Sequence, residues 1–437
     1  MSTLRAISPL DGRYRAQVQA LGEHVSEWAL IRARVRVEVE WLLALDPSQP
    51  ESLRALYTDF SDHDAEAVKA IERATNHDVK AVEYFLRERV DPDVRELVHF
   101  GLTSEDVNNL SHALMLRGAI EEVWRPAAEE LVAGVTALAQ RTRAVPLLSR
   151  THGQAATPTT FGKEMAVFVA RWRRQLDHLD RQEYRGKLNG AVGTYGALLV
   201  AHPDRDWEDV SRRFVESLGL TWSPLTTQIE PHDWIAELFH ALGRFNQILV
   251  DFDRDVWAYI SRALVKQRVV AGEVGSSTMP HKVNPIDFEN SEANAGTSTA
   301  LGNHMAATLT VSRLQRDLSD SSLIRNAGVV VAHSLLALRS ALRGLGKIEV
   351  DEPAMRAELD DAWEVLAEAV QTVMRKRGGD DPYEQLKALT RGARIDEAKL
   401  REFVRSADLD EADRERLLEL TPAAYVGLAE RLVDRVL

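Results

Sequence analysis

Between Asp233 and Ile260 the apolar residues Ile235, Leu238, Leu242, Phe245, Leu249, Phe252, Val256 and Tyr259 recur at alternating intervals of three and four. A heptad seam held this long predicts a long helix in a left-handed bundle, because other long helices are what can cover such a stripe. The series Phe161, Met165, Phe168, Trp172, Leu176 and Leu179 predicts a second helix of the same kind. A third is expected to begin at Thr103, which makes a capping-box pair with Asp106 ahead of Val107, Leu110 and Leu114. Further on, Pro353–Arg377 and Pro382–Thr390 read as helices separated by Gly378-Gly379. Arg32–Glu40 alternates like a strand, but Trp28, Ile31, Val35, Val39 and Leu42 fall on one helical face, so the longer window predicts helix.

The expected fold class is therefore all-α. A chain of 437 residues is long enough for several domains. Helix length suggests an N-terminal helical domain over 1–102, a central long-helix domain over 103–345 and a C-terminal helical domain over 346–437. The glycines of Gly186–Gly196 match neither a dinucleotide-binding nor a P-loop spacing, and read as a loop between two long helices. There is no cysteine, which removes disulfides, thiolate metal sites and a cysteine nucleophile, and fits a reducing compartment. No signal pattern is visible in Met1–Arg15, and no apolar run is expected to reach the ~18–20 residues of a membrane span. With a formal charge of −13, the chain is a poor general binder of nucleic acid or anionic membrane. An anionic substrate would need positive charge concentrated locally.

The densest chemistry lies in Gly275-Ser276-Ser277-Thr278-Met279-Pro280-His281-Lys282-Val283-Asn284-Pro285, where hydroxyls, a lysine and an asparagine sit in a segment punctuated by glycine and proline. Thr151-His152-Gly153-Gln154 reads as a short extended entry to the Phe161 helix. Asn76-His77-Asp78 reads as a helix start, since Asn and Asp are good caps. No HExxH occurs, and Glu230-Pro231-His232-Asp233 lacks partners at ligand spacing, so no metal is expected.

The Ser276–Pro285 run resembles the signature of the fumarase/aspartase superfamily, whose members eliminate fumarate from a succinyl group. His281 before Lys282 resembles the branch acting on succinyl nucleotides. Ser8–Tyr14, Asn76-His77-Asp78, Thr103-Ser104, Thr151–Gln154, Thr226-Thr227-Gln228, Arg316 and Ser321-Ser322-Leu323-Ile324-Arg325 occur in that branch's order, from about Ile7 to about Leu428. Ala155 departs from the proline usual after the THGQ motif.

The resemblance implies a β-elimination in purine biosynthesis on two succinyl nucleotides, with no cofactor, in a cytoplasmic homotetramer whose central helices form a shared bundle. It implies Ser276 as the base and His152 as the acid, with Lys282 and Asn284 holding the carboxylate beside the carbanion. His77 matches a second histidine on the phosphate side. Arg13, Tyr14, Arg316, Ser321 and Arg325 match phosphate and ribose contacts, and Asn76, Asp78 and Ser322 accompany them. Gln228, Thr103, Ser104 and Asn290 would hold the succinyl carboxylates or the base. Argininosuccinate lyase, aspartase, fumarase and cycloisomerase-like members remain alternatives. An inactive helical tetramer remains one too, although that reading expects losses at Ser276, Lys282 or His152 and none is present.

Overall fold

The computed structural model describes residues 3–268, 279, 282–378, 381–390 and 395–437. It is built of helices, with four two-stranded pairings among the described residues. The helices of two turns or more are α1 (Glu27–Leu45), α2 (Asp62–Thr75), α3 (Asp78–Arg87), α4 (Ser104–Gly118), α5 (Arg125–Arg141) and α6 (Phe161–Leu179). There follow α7 (Trp207–Ser217), α8 (Asp233–Ser261), α9 (Ile286–Leu309) and α10 (Ala327–Leu345). The C-terminal set is α11 (Glu352–Asp360), α12 (Ala367–Arg377), α13 (Pro382–Thr390), α14 (Glu397–Ser406) and α15 (Glu411–Glu419).

The predicted seams are buried. Ile235, Leu238, Phe245, Leu249, Phe252 and Val256 of α8 are fully covered, as are Phe161, Met165 and Trp172 of α6. The alternation in Arg32–Glu40 belongs to helix α1, which buries Val35, Val37 and Val39 on more than one side. A helix covered that broadly loses its amphipathic stripe, which explains the strand-like reading. The expected helix Pro353–Arg377 is divided. α11 ends at Asp360, a 3-10 turn occupies Trp363–Leu366, and α12 then runs to Arg377, capped by Gly378 at φ +82°. Gly186–Gly196 leads not into a long helix but into the short one at Gly196–Ala201, and Arg185-Gly186 pairs with Thr221-Trp222. Ser319–Leu345 is apolar and long enough to cross a membrane by composition, contrary to the sequence reading, yet 56% of its most apolar 18 residues is buried in protein. Val331, Leu335, Leu336 and Leu338 have no exposure, so this is a core segment.

The chain forms two compact units. The first comprises 1–129, 175–250 and 290–340, and the second 130–174, 251–289 and 341–437. In the first, a chain of hydrogen bonds crosses the apolar interior. Trp124 Nε1 donates to Ser334 Oγ at 2.8 Å, and Ser334 Oγ to Asn246 Oδ1 at 2.7 Å. Asn246 Nδ2 donates to Ser298 Oγ at 3.1 Å, and Ser298 Oγ to the Val330 carbonyl at 2.8 Å. All four side chains are buried and mutually satisfied. In the second unit, Phe168, Trp172 and Phe288 pack edge-on against Phe252, and α11–α15 close around Leu359, Leu366, Val370 and Leu400.

Two buried charge pairs in the first unit position the start of α4 and the segment before it. Asp106 and Lys187 have fully buried side chains and meet at 2.8 Å. The Asp106 carboxylate also accepts the backbone N–H groups of Thr103 (2.8 Å) and Asn189 (3.0 Å), tying the cap of α4 to the glycine loop. Glu38 on α1 meets His99 Nδ1 at 2.5 Å and accepts the His99 N–H at 3.1 Å, where His99 has φ +62°.

Replacing Asp106 by Ala leaves Lys187 buried without its carboxylate. The expected loss is about 3–5 kcal/mol, the usual consequence of orphaning a buried charge, read from the midpoint of denaturant unfolding. The His99 pair carries a pH signature. Burial pulls His99 down, but the hydrogen bond and charge of Glu38 outweigh it and raise the group above its ordinary value of 6.5. Stability from a raised histidine is complete below the unfolded value and fades as pH climbs through the folded one. The stability gap between wild type and His99→Asn should therefore be larger at about pH 6 than at about pH 9. Asn tolerates positive φ, so the backbone is not the variable.

Candidate active site

The residues singled out from sequence fall into both units. In the first, α3 begins where α2 ends. Asn76 closes α2 in the left-handed conformation, φ +52°, and His77 caps α3 by accepting the Lys80 N–H on Nδ1 at 3.1 Å. An accepting Nδ1 puts the proton of the neutral ring on Nε2. Asp78 opens α3, and its Oδ1 accepts the Val79 N–H at 2.9 Å.

The other oxygen of Asp78 anchors a network of arginines. Oδ2 accepts from Arg34 Nη2 at 2.7 Å and from Arg325 Nη2 at 2.9 Å. Arg34 lies in α1 and is 3% exposed. Its Nε donates to Asn108 Oδ1 at 2.9 Å, and Asn108 Nδ2 to Glu105 Oε1 at 2.7 Å. Glu105 Oε1 also meets Arg316 Nη2 at 2.9 Å, and Arg316 Nη1 reaches Gln228 Oε1 at 3.4 Å. Arg316 Nε is buried with no hydrogen-bond partner among the described residues. Asp320 lies 3.9 Å from Arg316 and 3.5 Å from His232 Nε2.

These charges set one another's protonation. Burial alone would raise Asp78, but the charges and hydrogen bonds of Arg34 and Arg325 win and hold it far below the usual carboxylate range. Asp320 is likewise lowered, with burial opposed by His232 and Arg316. His112 is depressed by burial and then by the neighbouring positive groups, Arg34 first, so its ring is neutral near pH 7. Arg34, Asn108, His232, Asp320, Ser321 and Arg325 line one narrow cavity. His112 and Arg325 also face a cavity of about 310 Å³ walled by apolar side chains such as Leu30 and Ile324.

The structure thus joins Asp78, Gln228, Arg316 and Arg325 in one hydrogen-bonded network, with Ser321 on the same cavity wall and Thr103-Ser104 heading the helix that carries Glu105 and Asn108. Tyr14 and Asn290 form a separate pair, Oη to Oδ1, at 3.3 Å, with the exposed Arg13 over the Tyr14 ring. Ser322 is exposed on the helix Ser319–Ile324. In the second unit, His152 does not enter on an extended strand as expected. It sits at the tip of a hairpin in which Arg150-Thr151 pairs with Gln154-Ala155. His152 and Gly153 take φ +54° and +75°, as tight two-residue hairpin turns require, and His152 is exposed. Lys282 is exposed and Asn284 half-buried, both ahead of α9. Ser276 lies outside the described residues.

Sequence reasoning missed Arg34, Asn108, Glu105 and Asp320 as parts of this network. Arg34 did leave a signal. It lies on the apolar side of α1 beside Ile31 and Val35, where a charge needs a partner. Chemically, the first unit offers a guanidinium-rich cavity suited to a multiply anionic ligand. No cluster of three or more metal-ligating side chains occurs among the described residues.

The family model described as "Lyase" matches residues 10–299, and "Adenylosuccinate lyase C-terminal" matches 312–426. The chain is 52% identical to adenylosuccinate lyase of Escherichia coli (strain K12) and 51% to that of Haemophilus influenzae, with 100% of this chain and 99% of each relative covered. A fumarate lyase from Mesorhizobium sp. BNC1 shares the fold, with TM-score 0.79, 22% identity and coverage of 96% of this chain and 97% of that one. The 3-carboxy-cis,cis-muconate lactonizing enzyme from Pseudomonas putida aligns with TM-score 0.76 and 25% identity, covering 97% of both. Two matched family models along one chain, identity over its full length and a common all-α fold place it: the chain belongs to the adenylosuccinate lyase family of lyases.

Proposed function

We propose that the chain is a carbon–nitrogen lyase that releases fumarate from adenylosuccinate, giving AMP, and from succinylaminoimidazole carboxamide ribonucleotide, giving the aminoimidazole carboxamide ribonucleotide. The observation that carries this reading is the identity to adenylosuccinate lyases over the whole chain. The arginine network is its physical support, because both substrates bring a phosphate and two carboxylates to an acidic protein of charge −13.

The chemical difficulty is a weakly acidic proton beside a carboxylate. Its removal is tolerable when the new charge spreads onto carboxylate oxygens held by fixed donors. Lys282 and Asn284 take that role. Ser276 takes the proton and needs a positive, water-poor setting to act as an alkoxide. His152 returns a proton to the leaving nitrogen from the opposite side. Arg325, Arg316, Ser321, Ser322, Arg13 and Tyr14 receive the phosphate and ribose, assisted by Asn76, His77 and Asp78. The Nε of Arg316 supports this part, since it is a buried donor with no partner among the described residues. Gln228, Thr103, Ser104 and Asn290 orient the succinyl carboxylates and the base. No cofactor or metal enters the scheme.

The working form is a cytoplasmic homotetramer with sites assembled from more than one chain. Support comes from α9, whose exposed positions Ala293, Gly296, Thr297 and Ala300 form a low face over its middle turns, where another helix can approach closely, before the larger exposed Asn303 and His304. Trp257 on α8 and Ile286 on α9 are exposed apolar residues on the same long helices. The division 1–102, 103–345 and 346–437 belongs to this proposal, with the middle part supplying the shared bundle.

Ser276→Ala and His152→Ala should each lower turnover on adenylosuccinate at least ~10²-fold, with a much smaller change in binding. Near wild-type turnover in Ser276→Ala would remove Ser276 as the base. If the two residues meet in one site from different chains, refolding the two inactive variants together should restore about a quarter of the sites. Mixing without dissociation should restore little. Verified mixed tetramers without regained activity would place both residues on one chain. Activity should also survive dialysis against a chelator, and loss reversed by one divalent ion would sink a metal-free scheme.

A further inference from the structure

The geometry points to Arg34 as a positioning residue for anion recognition: buried, with its Nε and Nη2 committed to Asn108 and Asp78, it supplies the charge that neutralises Asp78 and leaves Arg325 available to the substrate's phosphate. The inference rests on the reading of Arg325 as a phosphate contact. Asp78 Oδ2 is shared, at 2.7 Å by Arg34 and at 2.9 Å by Arg325. Arg34 has a fixed orientation, because its Nε is held by Asn108 at 2.9 Å while Nη2 holds Asp78. Its side chain is 4% exposed, whereas that of Arg325 is 46% exposed. One arginine is built in, and the other is presented.

The charge balance shows why the buried one matters. Arg34, Arg316 and Arg325 face Asp78, Glu105 and Asp320, three positive charges against three negative. Without Arg34 the same groups carry two against three. An incoming phosphate would then meet a net negative wall, and Asp78 would close on Arg325 as its remaining arginine. The alternative is that Arg34 merely clamps α1 to α3 and α4. The two roles separate because one depends on charge and the other on hydrogen-bonded shape.

Arg34→Gln keeps polarity and removes the charge. Asn108→Asp keeps the side-chain size and the acceptor facing the Nε edge of Arg34, placing a carboxylate there that cancels the charge without deleting the arginine, at the loss of the Asn108 hydrogen bond to Glu105. Each should raise KM for adenylosuccinate, and the inhibition constant of inorganic phosphate, about 10-fold or more, the order expected for one charge in a protein-like dielectric. Turnover should change by less than about 3-fold, because the effect is on binding. Arg34→Lys, which retains the charge, should recover most of the KM. The double variant Arg34→Gln with Asp78→Asn removes one charge of each sign and should bind phosphate better than Arg34→Gln alone. If Arg34→Gln fails to fold, Asn108→Asp carries the test.

The inference is overturned if these variants lower only the melting temperature, if turnover falls with KM unchanged, or if the double variant binds worse than the single. Arg325→Gln is run in parallel. If it leaves KM and phosphate inhibition unchanged, the phosphate reading of Arg325 is wrong. If it weakens both while Arg34→Gln and Asn108→Asp do not, the positioning role of Arg34 is wrong.

Discussion

Asn246 is the side chain on which the register of the first unit's helices depends. The apolar seam of α8 drives association but is permissive, since a stripe of Leu, Ile and Phe can slide by a turn against another stripe and still be covered. Asn246 cannot slide. It is fully buried, accepts from Ser334 at 2.7 Å and donates to Ser298 at 3.1 Å, and Trp124 completes the set through Ser334. A shifted register would leave several buried polar groups unpaired, at about 1–3 kcal/mol each. Hydrophobic burial supplies the stability of these long helices, and one satisfied polar chain selects the arrangement. Residues at their ends inherit that definition.

The same economy of paired polarity governs the ionisable groups. An acidic protein that binds anions must place its arginines where their carboxylate partners neutralise them only partly. Asp78, Glu105 and Asp320 hold Arg325 and Arg316 in place, and Arg34 offsets the negative charge this introduces. Asp106 and Lys187 show the opposite case, a fully internal pair of zero exposure whose work is to tie the α4 cap to a loop. The Arg34 network ends in an exposed guanidinium, whereas the Asp106–Lys187 pair is wholly internal.

Much of this was legible. The seam of α8, the helix from Phe161 and the Thr103–Asp106 cap needed only periodicity and a capping pattern, which are local properties. α1 was harder because it is covered on several sides, so its apolar residues do not keep to one stripe. The break after Asp360 leaves no glycine or proline, and the sequence pattern runs through it. The His152 hairpin was missed because its turn puts a histidine, not the favoured Asn or Asp, before Gly153. The Arg34 network was illegible in its wiring. Its partners lie 44 and 74 residues away, and nothing local says which carboxylate a buried arginine will meet.

Position in the fold also accounts for the residue types at these stations. His77 is an unusual cap, since a Ser or Asp would serve the Lys80 N–H equally well. What the imidazole adds is a second nitrogen. With Nδ1 accepting from the backbone, the ring is oriented and Nε2 is left as the donor of a side chain that is 53% exposed. Asp78, next in the chain, spends one oxygen on the Val79 N–H and the other on two arginines. A single helix start therefore orients an imidazole through its own cap and an exposed guanidinium through the next side chain.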